Sequence, residues 1–582
     1  MRKRENAMKQ MLRFLKRHKR ESLLAPLFKM LEAVFDLLVP LVTANIINQG
    51  IAGRDSRYIL AQCGLLLLLG VIGLACSITA QYFAAKAAVE ASAEVRHALF
   101  EKIQSLGFAE SDSIGTGTLI TRMTSDVNQL QNGLNMFLRL FLRSPVIVFG
   151  AILMAFTIDV RTAWIFVVIL PVLSAVVYFI MNTTLPRYRG VQAKLDQITG
   201  ITRENLTGVR VVRAFGREED ETARFVAADS ALAQSQLRVG RISALLNPLT
   251  FAIINIGILA VLRTGSLQIN AGVLAAGDVV ALVNYMSQIL LELVKLANLI
   301  VQLTRAAACT ERINSVLVMQ PAMQYGETRL NPADGENAVE FRHVSLRYGS
   351  GEESLSDISF TVPKGQTIGV IGGTGSGKTS LVSLLPRYYD ATSGSVLLFG
   401  KDIRAYDRQS LRTAVSTVMQ KAQLFSGTIR DNLTWGNPYA TDEDLWQALT
   451  TAQAAEIVRG KPLGLDEPVE QSGRNFSGGQ KQRLSIARSL VSQPALLILD
   501  DSASALDYAA DAALRRALAA LPGDTTLFIV SQRANSLMHA DQILVLDEGR
   551  LVGVGRHETL LETCPVYRDI YDSQFQKPEV SA

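Results

Sequence analysis

Long apolar runs fill the first half of the chain and give way, near residue 310, to short ones of a different period. A helix that crosses a bilayer needs about 20 mostly apolar residues. Six stretches meet this: approximately 23–49, 57–85, 134–158, 161–185, 244–268 and 275–305. Several exceed the minimum, which permits tilt or extension into water. Short and long connections alternate: the segments around 50–57 and 158–161 are short, whereas 86–133 and 186–243 are long, polar and helix-like. The pattern predicts a six-helix all-α membrane domain over 21–310 and a polar linker with Pro321 and Pro332 over 311–338. Beyond it, Val339–Tyr348 alternates like a strand, and Gln366–Ile371, Ala414–Met419 and Leu496–Leu499 are short β-rich apolar runs. An α/β domain is therefore expected over 339–578.

Charge refines this layout. The net charge of +5 is modest, but Met1–Arg20 holds Arg2, Lys3, Arg4, Lys9, Arg13, Lys16, Arg17, Lys19 and Arg20 against Glu5 alone. Met11, Leu12 and Leu15 interleave with these cations at helical spacing. Segment 1–20 thus reads as a basic amphipathic helix on an anionic membrane surface, in preference to a nucleic-acid arm, a transit peptide or a secretory signal, and no nucleic-acid partner is expected. The second long connection is also rich in base, with Arg187, Arg189, Lys194, Arg203, Arg210, Arg213, Arg217, Arg224, Arg238 and Arg241. By the positive-inside rule both long connections and both termini are cytoplasmic. Four scattered cysteines without C-x-x-C spacing exclude neither chemistry outright but predict no zinc site or disulfide framework.

Ionisable groups inside the apolar stretches stand out. Glu32 and Asp36 are one turn apart, as are Arg139 and Arg143, while Glu292 and Lys295 are three apart. Such groups normally face a bundle interior or a water-filled cavity. Two readings stay open: Glu32, Asp36 and Glu292 line a cavity suited to cationic cargo, or they pair with Arg or Lys or lie at interface depth.

The second half carries motifs. Gly372-Gly-Thr-Gly-Ser-Gly-Lys-Thr379 follows the strand-like run ending at Ile371 and matches the phosphate-loop pattern G-x-x-x-x-G-K-[ST]. Its glycines, Gly372, Gly375 and Gly377, let the backbone turn tightly and aim N–H groups at phosphate oxygens. Thr374, Ser376 and Ser380 complete the loop and the start of its helix; Lys378 reaches the β- and γ-phosphates and Thr379 ligates Mg²⁺. About a hundred residues on stand Phe476-Ser-Gly-Gly-Gln480 and the apolar strand ending in Asp500-Asp501. Together these resemble the nucleotide-binding domain of ATP-binding-cassette (ABC) transporters, and the resemblance covers nearly the full length.

The resemblance implies the remaining roles. Tyr348 stands where the family stacks an aromatic on adenine, and Gln420 and Asp500 where it contacts Mg²⁺. Ser477, Gly478, Gly479 and Gln480, preceded by Phe476 in a position commonly Leu, form the signature that caps ATP bound to an opposite domain. The membrane half is similar to exporter-type half-transporters, whose helices continue into the cytoplasm as two hairpins tipped by coupling helices, here at about Ala109–Gly115 and Ala214–Glu218. The segments Gly117–Val127 and Glu204–Phe215 look like the stretches that flank them.

Two positions depart from the hydrolytic pattern. Asp501 stands where the family usually has a catalytic Glu, and Gln532 where it usually has a His. Loss of one methylene withdraws the carboxylate by roughly 1–1.5 Å, and a glutamine carries neither proton nor charge to the γ-phosphate. The chain is accordingly expected to be the degenerate-site subunit of a bacterial heterodimeric multidrug exporter, paired with a second half-transporter that keeps the Glu and His. It would move amphipathic compounds or lipids outward across the plasma membrane, using ATP and Mg²⁺. Uptake of substrates such as metal chelates, or an ATP-gated channel or regulatory subunit, are the alternatives.

Overall fold

The computed structural model describes residues 14–15, 17–349, 351–502, 506–521 and 525–575. Most of the basic N-terminal segment and residues 576–578 of the expected ATP-binding domain therefore lie outside the described residues. The chain forms two compact units, Met1–Gln104 with Thr116–Met319, and Ser105–Gly115 with Gln320–Ala582.

The first unit is helical. Among the described residues, six helices are long and apolar enough to cross a membrane: Lys19–Ile51 (α1), Ser56–Ser105 (α2), Thr116–Ile158 (α4), Val160–Thr207 (α5), Glu218–Asn270 (α7) and Ala276–Leu317 (α8). Two short ones, Phe108–Ile114 (α3) and Val209–Ala214 (α6), lie in the long connections. At 1.5 Å per residue, the 50 residues of α2 and the 48 of α5 extend about 70–75 Å, far beyond a hydrocarbon core of about 30 Å. The polar connections are thus continuations of the spanning helices.

The helix ends follow local chemistry. Asp159 begins α5 by accepting from the Thr162 N–H at 2.8 Å. Gly107 N–H donates to Glu110 at the start of α3, and Gly115 ends it with φ +79°. The second short helix is displaced from the expected Ala214–Glu218. It occupies Val209–Ala214, because Gly216 turns the chain at φ +61° and Glu218, Glu219, Asp220 and Glu221 open α7, where acids suit a helix N-terminus.

Within this unit α8 is central: half of its most apolar stretch is buried, against 11% for α2 and α5. Tyr285 of α8 is fully buried and donates to the Leu37 carbonyl of α1 at 2.6 Å. Small residues allow close approach. A Cβ on Gly133 would fall 2.3 Å from that of Ala306, and one on Gly257 2.2 Å from Ile169 Cδ1. In lipid such tight contacts hold helices together, since burial from water cannot.

The second unit is built on two sheets. A six-stranded sheet runs β12–β11–β3–β10–β9–β6, and a four-stranded one runs β2–β1–β4–β5. Their strands are Asn337–Arg347 (β1), Glu353–Pro363 (β2), Thr367–Gly372 (β3), Ser393–Leu398 (β4), Lys401–Asp402 (β5), Val415–Val418 (β6), Gly427–Thr428 (β7), Pro468–Val469 (β8), Leu496–Asp500 (β9), Thr526–Val530 (β10), Gln542–Asp547 (β11) and Arg550–Gly555 (β12). β7 pairs with β8 alone. The period of two in each strand sorts side chains to two cores. Ile368, Val370, Ile498, Phe528 and Leu544 face the antiparallel sheet, while Ile371, Leu497, Leu499, Ile529 and Val545 face the helical core that includes Phe476 and Leu484.

The ionisable groups of the apolar stretches are engaged with one another. Arg143 of α4 donates to Glu292 of α8 at 2.6 Å and to Asp36 of α1 at 2.9 Å. Lys29 pairs with Glu32 at 2.5 Å, Lys295 with Glu292 at 2.8 Å, and Ser144 donates to Glu292 at 2.8 Å. Each acid has a cation, so the argument for a cationic cargo loses its footing. Arg139, one turn before Arg143, has its Nε buried without a partner among the described residues. Side chains of Arg143 and Glu292 are only 12% and 4% exposed, so removing Arg143 leaves Glu292 with Lys295 as its remaining cation and Asp36 without its ion-pair partner. Arg143→Met should lower the stability of the full chain by about 1–3 kcal/mol. Adding Asp36→Asn, which removes the acid left without a cation, should recover most of that loss; unfolding followed by helical circular dichroism in one detergent checks both.

Candidate nucleotide site

The carboxyl ends of β3, β9, β6 and β10 share one edge of the parallel sheet, where open α/β sheets bind ligands. The register pairs Val530 of β10 with both Val370 of β3 and Asp500 of β9. From β3 the chain enters the P-loop and then a short helix, Lys378–Ser383. Gly372 and Gly377 are required by close approach: a Cβ would meet Leu546 O at 2.2 Å at the first and Ser354 O at 2.7 Å at the second. By contrast, Gly373 and Gly375 face open space at the crown of the loop, which leaves room for a phosphate chain. Thr374 and Ser376 stand between these glycines, and Ser376 is buried.

Lys378 is buried, with its ammonium donating to Gly373 O at 2.6 Å and Gly372 O at 3.0 Å. Burial pulls its pKa below the usual lysine range, while Asp501 and Asp500 pull the other way. Thr379 donates to Asp500 Oδ1 at 3.1 Å. Burial raises the Asp500 pKa and the Thr379 hydrogen bond opposes that rise. A hydroxyl beside a carboxylate at a strand end is the oxygen donor set that Mg²⁺ accepts, so the residues fit that ion.

Asp501 turns out of the strand with φ +46°, a left-handed conformation that a short Asp tolerates, and its N–H donates to Val530 O at 3.1 Å. Its carboxylate accepts from the side-chain amide of Gln420 at 3.0 Å. Gln482 donates to Met419 O at 3.2 Å and so ties the helix Gly478–Val491 to the segment carrying Gln420.

Tyr348 donates to Ser380 Oγ at 3.1 Å and packs edge-on against Tyr389, with ring centroids 4.9 Å apart. Tyr389 in turn donates to Asp112 of α3, and Phe108 of α3 lies 4.3 Å from Tyr388 between ring centroids. The segment Ser105–Gly115 thus belongs to the ATP-binding unit in space, although it interrupts the membrane unit in sequence. Tyr388, Tyr389, Phe108 and Asp112 were not singled out from the sequence; the adjacent tyrosines were the only local sign.

Ser477, Gly478, Gly479 and Gln480 form a helix start. Ser477 Oγ accepts from the Gln480 N–H at 3.3 Å, and Gln480 Oε1 accepts from the Ser477 N–H at 3.0 Å, a reciprocal capping box. Phe476 is buried, with Lys461 Nζ 4.9 Å from its ring centroid. A Cβ on Gly478 would meet nothing within 4 Å. Among the described residues, these four make no hydrogen bond to the P-loop. Gln532 follows β10 at the same edge as Asp500 and is exposed.

A family model described as ABC transporter transmembrane region matches residues 22–293, and one described as ABC transporter matches residues 355–504. An uncharacterized ABC transporter ATP-binding protein of Mycobacterium tuberculosis is 37% identical over 94% of this chain and 95% of its own. YfiB of Bacillus subtilis, of the same description, is 35% identical over 98% of this chain and 99% of its own. A multidrug efflux ATP-binding/permease protein of M. tuberculosis is 32% identical over 96% of this chain, which corresponds to 46% of that protein. The solved structure of a bacterial Atm1-family ABC exporter with ATP bound superposes with TM-score 0.82 at 22% identity, over 96% of this chain and 99% of that one, and shows the exporter fold. The chain therefore belongs to the ABC transporter family, as a multi-pass membrane protein with an exporter-type transmembrane domain and an ATP-binding domain of an ATP-hydrolysing transporter.

Proposed function

We propose that the chain is one half of a heterodimeric ATP-driven exporter, and that it contributes the weaker of two nucleotide sites. The observation that carries this reading is Asp501. Its short carboxylate stands at the position of the general base and accepts a hydrogen bond from Gln420 at 3.0 Å. A base must come within about 2.6–3.2 Å of the proton it takes, and a misplacement near 1 Å can cost on the order of 10²-fold.

The other residues fit defined tasks. Lys378 and the P-loop N–H groups hold the β- and γ-phosphates, and Tyr348 offers a ring to adenine. Thr379, Asp500 and Gln420 hold Mg²⁺, which when bound neutralises charge on those phosphates. Gln532 presents an amide to the γ-phosphate but cannot take up a proton or carry a charge.

The capping box of Ser477 and Gln480 and the open face of Gly478 support a signature directed at a nucleotide on a second chain. Among the described residues, nothing lies within 4 Å of where a side chain at 478 would begin. In the assembly, this chain's signature would close the partner's site, where a Glu and a His complete the chemistry. The relative described as a multidrug efflux protein supports outward transport of amphipathic compounds. The basic connections support a cytoplasmic ATP-binding domain in a bacterial plasma membrane.

Two measurements test this. Mg²⁺-dependent ATP hydrolysis by the chain alone in lipid should be near background and should become brisk on co-purification with its partner; brisk turnover alone would mean a competent homodimer. Restoring the usual pair with Asp501→Glu and Gln532→His should raise hydrolysis by the isolated chain by on the order of 10²-fold. An unchanged rate in the restored variant would locate the impairment elsewhere.

A further inference from the structure

The helix Pro565–Phe575 carries Gln574 onto the segment that follows β10. Its carboxamide makes two hydrogen bonds there: Nε2 donates to Gln532 O at 2.8 Å, and Oε1 accepts from the Ala534 N–H at 2.9 Å. The partners are a carbonyl and an N–H, so only one orientation of the amide satisfies both. A carboxylate, an ammonium or a hydrocarbon could not make the pair. The helix itself is anchored upstream by Tyr567, which is fully buried and hydrogen-bonded to His557 Nδ1 at 2.7 Å.

The helix Tyr508–Ala519 holds the same segment from another direction. Arg533 lies over the ring of Tyr508 at 5.2 Å, Arg515 donates to Asn535 O at 2.9 Å, and Ser536 donates to Asp511 at 3.3 Å. Each residue from 532 to 536 is therefore held, while the side chain of Gln532 makes no hydrogen bond among the described residues. That is a fixed backbone carrying one uncommitted amide at the nucleotide edge of the sheet.

We propose that Gln574 is a positioning residue for the ATP site: it clamps the backbone on both sides of Arg533 and thereby fixes where the Gln532 amide meets the terminal phosphate. The proposal rests on the reading of Gln532 as the residue that faces the γ-phosphate. Because that contact exists with ATP and not with ADP, the preference for ATP over ADP is the property Gln574 controls.

The test uses the full-length chain in lipid nanodiscs with Mg²⁺. Affinities for ATP and ADP are measured separately by displacement of a fluorescent ATP analogue, and their ratio is the readout. One neutral hydrogen bond corresponds to about a 2- to 12-fold change, so Gln532→Ala should reduce the ATP preference by that order. Gln574→Ala should reduce it in the same direction, and Gln574→Glu, which sets a carboxylate oxygen against the Gln532 carbonyl where the amide had donated, should reduce it at least as much. The double variant should be no worse than Gln532→Ala alone, because the two act through one contact. An unchanged ratio in Gln574→Ala beside a shifted one in Gln532→Ala overturns the clamp alone. So do additive losses, or equal weakening of both nucleotides with a lowered melting temperature. A ratio unmoved by Gln532→Ala overturns the reading of Gln532, and the clamp with it.

Discussion

The parallel pairing of β10 between β3 and β9 is the constraint on which the nucleotide edge depends. Its register sets Val530 beside both Val370 and Asp500. A shift of one residue would turn every side chain of β10 to the opposite core, sending Phe528 away from the antiparallel sheet and Ile529 toward it. Because both faces are packed with large apolar groups, that slip is strongly disfavoured. The Asp501 N–H to Val530 O bond extends the pairing one step past the strand and holds the turn that aims Asp501. Loops carry the chemistry, but the strand register decides where they begin.

What the sequence made legible follows from how local the chemistry is. A phosphate loop needs glycines, lysine and threonine at fixed spacing, so Gly372–Thr379 could be read directly. The same holds for the capping pair Ser477 and Gln480, three residues apart. Six apolar stretches announced six spanning helices, yet their polar continuations carried no apolar signal to mark their length. The second short helix was expected too late, because Gly216 and the acids of 218–221 are weak cues when read without the turn they build. Contacts between distant residues left no period at all: Tyr389 and Asp112 are 277 positions apart, and Arg143 and Glu292 are 149 apart. For the intramembrane charges the sequence left open whether the acids lined a cavity or paired with bases, and the ion pairs of Glu32, Asp36 and Glu292 could not be read from it.

Neutrality within the helical bundle and asymmetry at the nucleotide edge are physically separate matters. In the bundle, Arg143 joins α1, α4 and α8 through hydrogen-bonded ion pairs that give Asp36 and Glu292 a cation, so these charges specify which helices meet. At the nucleotide edge, charge is concentrated and only partly compensated. The charges of Asp500 and Asp501 raise the pKa of Lys378 against its burial, and Asp501 raises and Lys378 lowers that of Asp500. The first arrangement builds a scaffold, and the second prepares a surface for a polyanion and its cation.

The placement of α3 has a practical consequence for dissecting the molecule. Phe108 and Asp112 are seated on Tyr388 and Tyr389, and Glu110 accepts from the Ala322 N–H at 2.7 Å. A soluble fragment cut at Gln320 would leave behind eleven residues that complete its own surface, exposing aromatic rings to water and freeing the chain end that Glu110 secures. The boundary of the ATPase is spatial before it is sequential. A faithful fragment would carry residues 105–115 back as a grafted or added peptide.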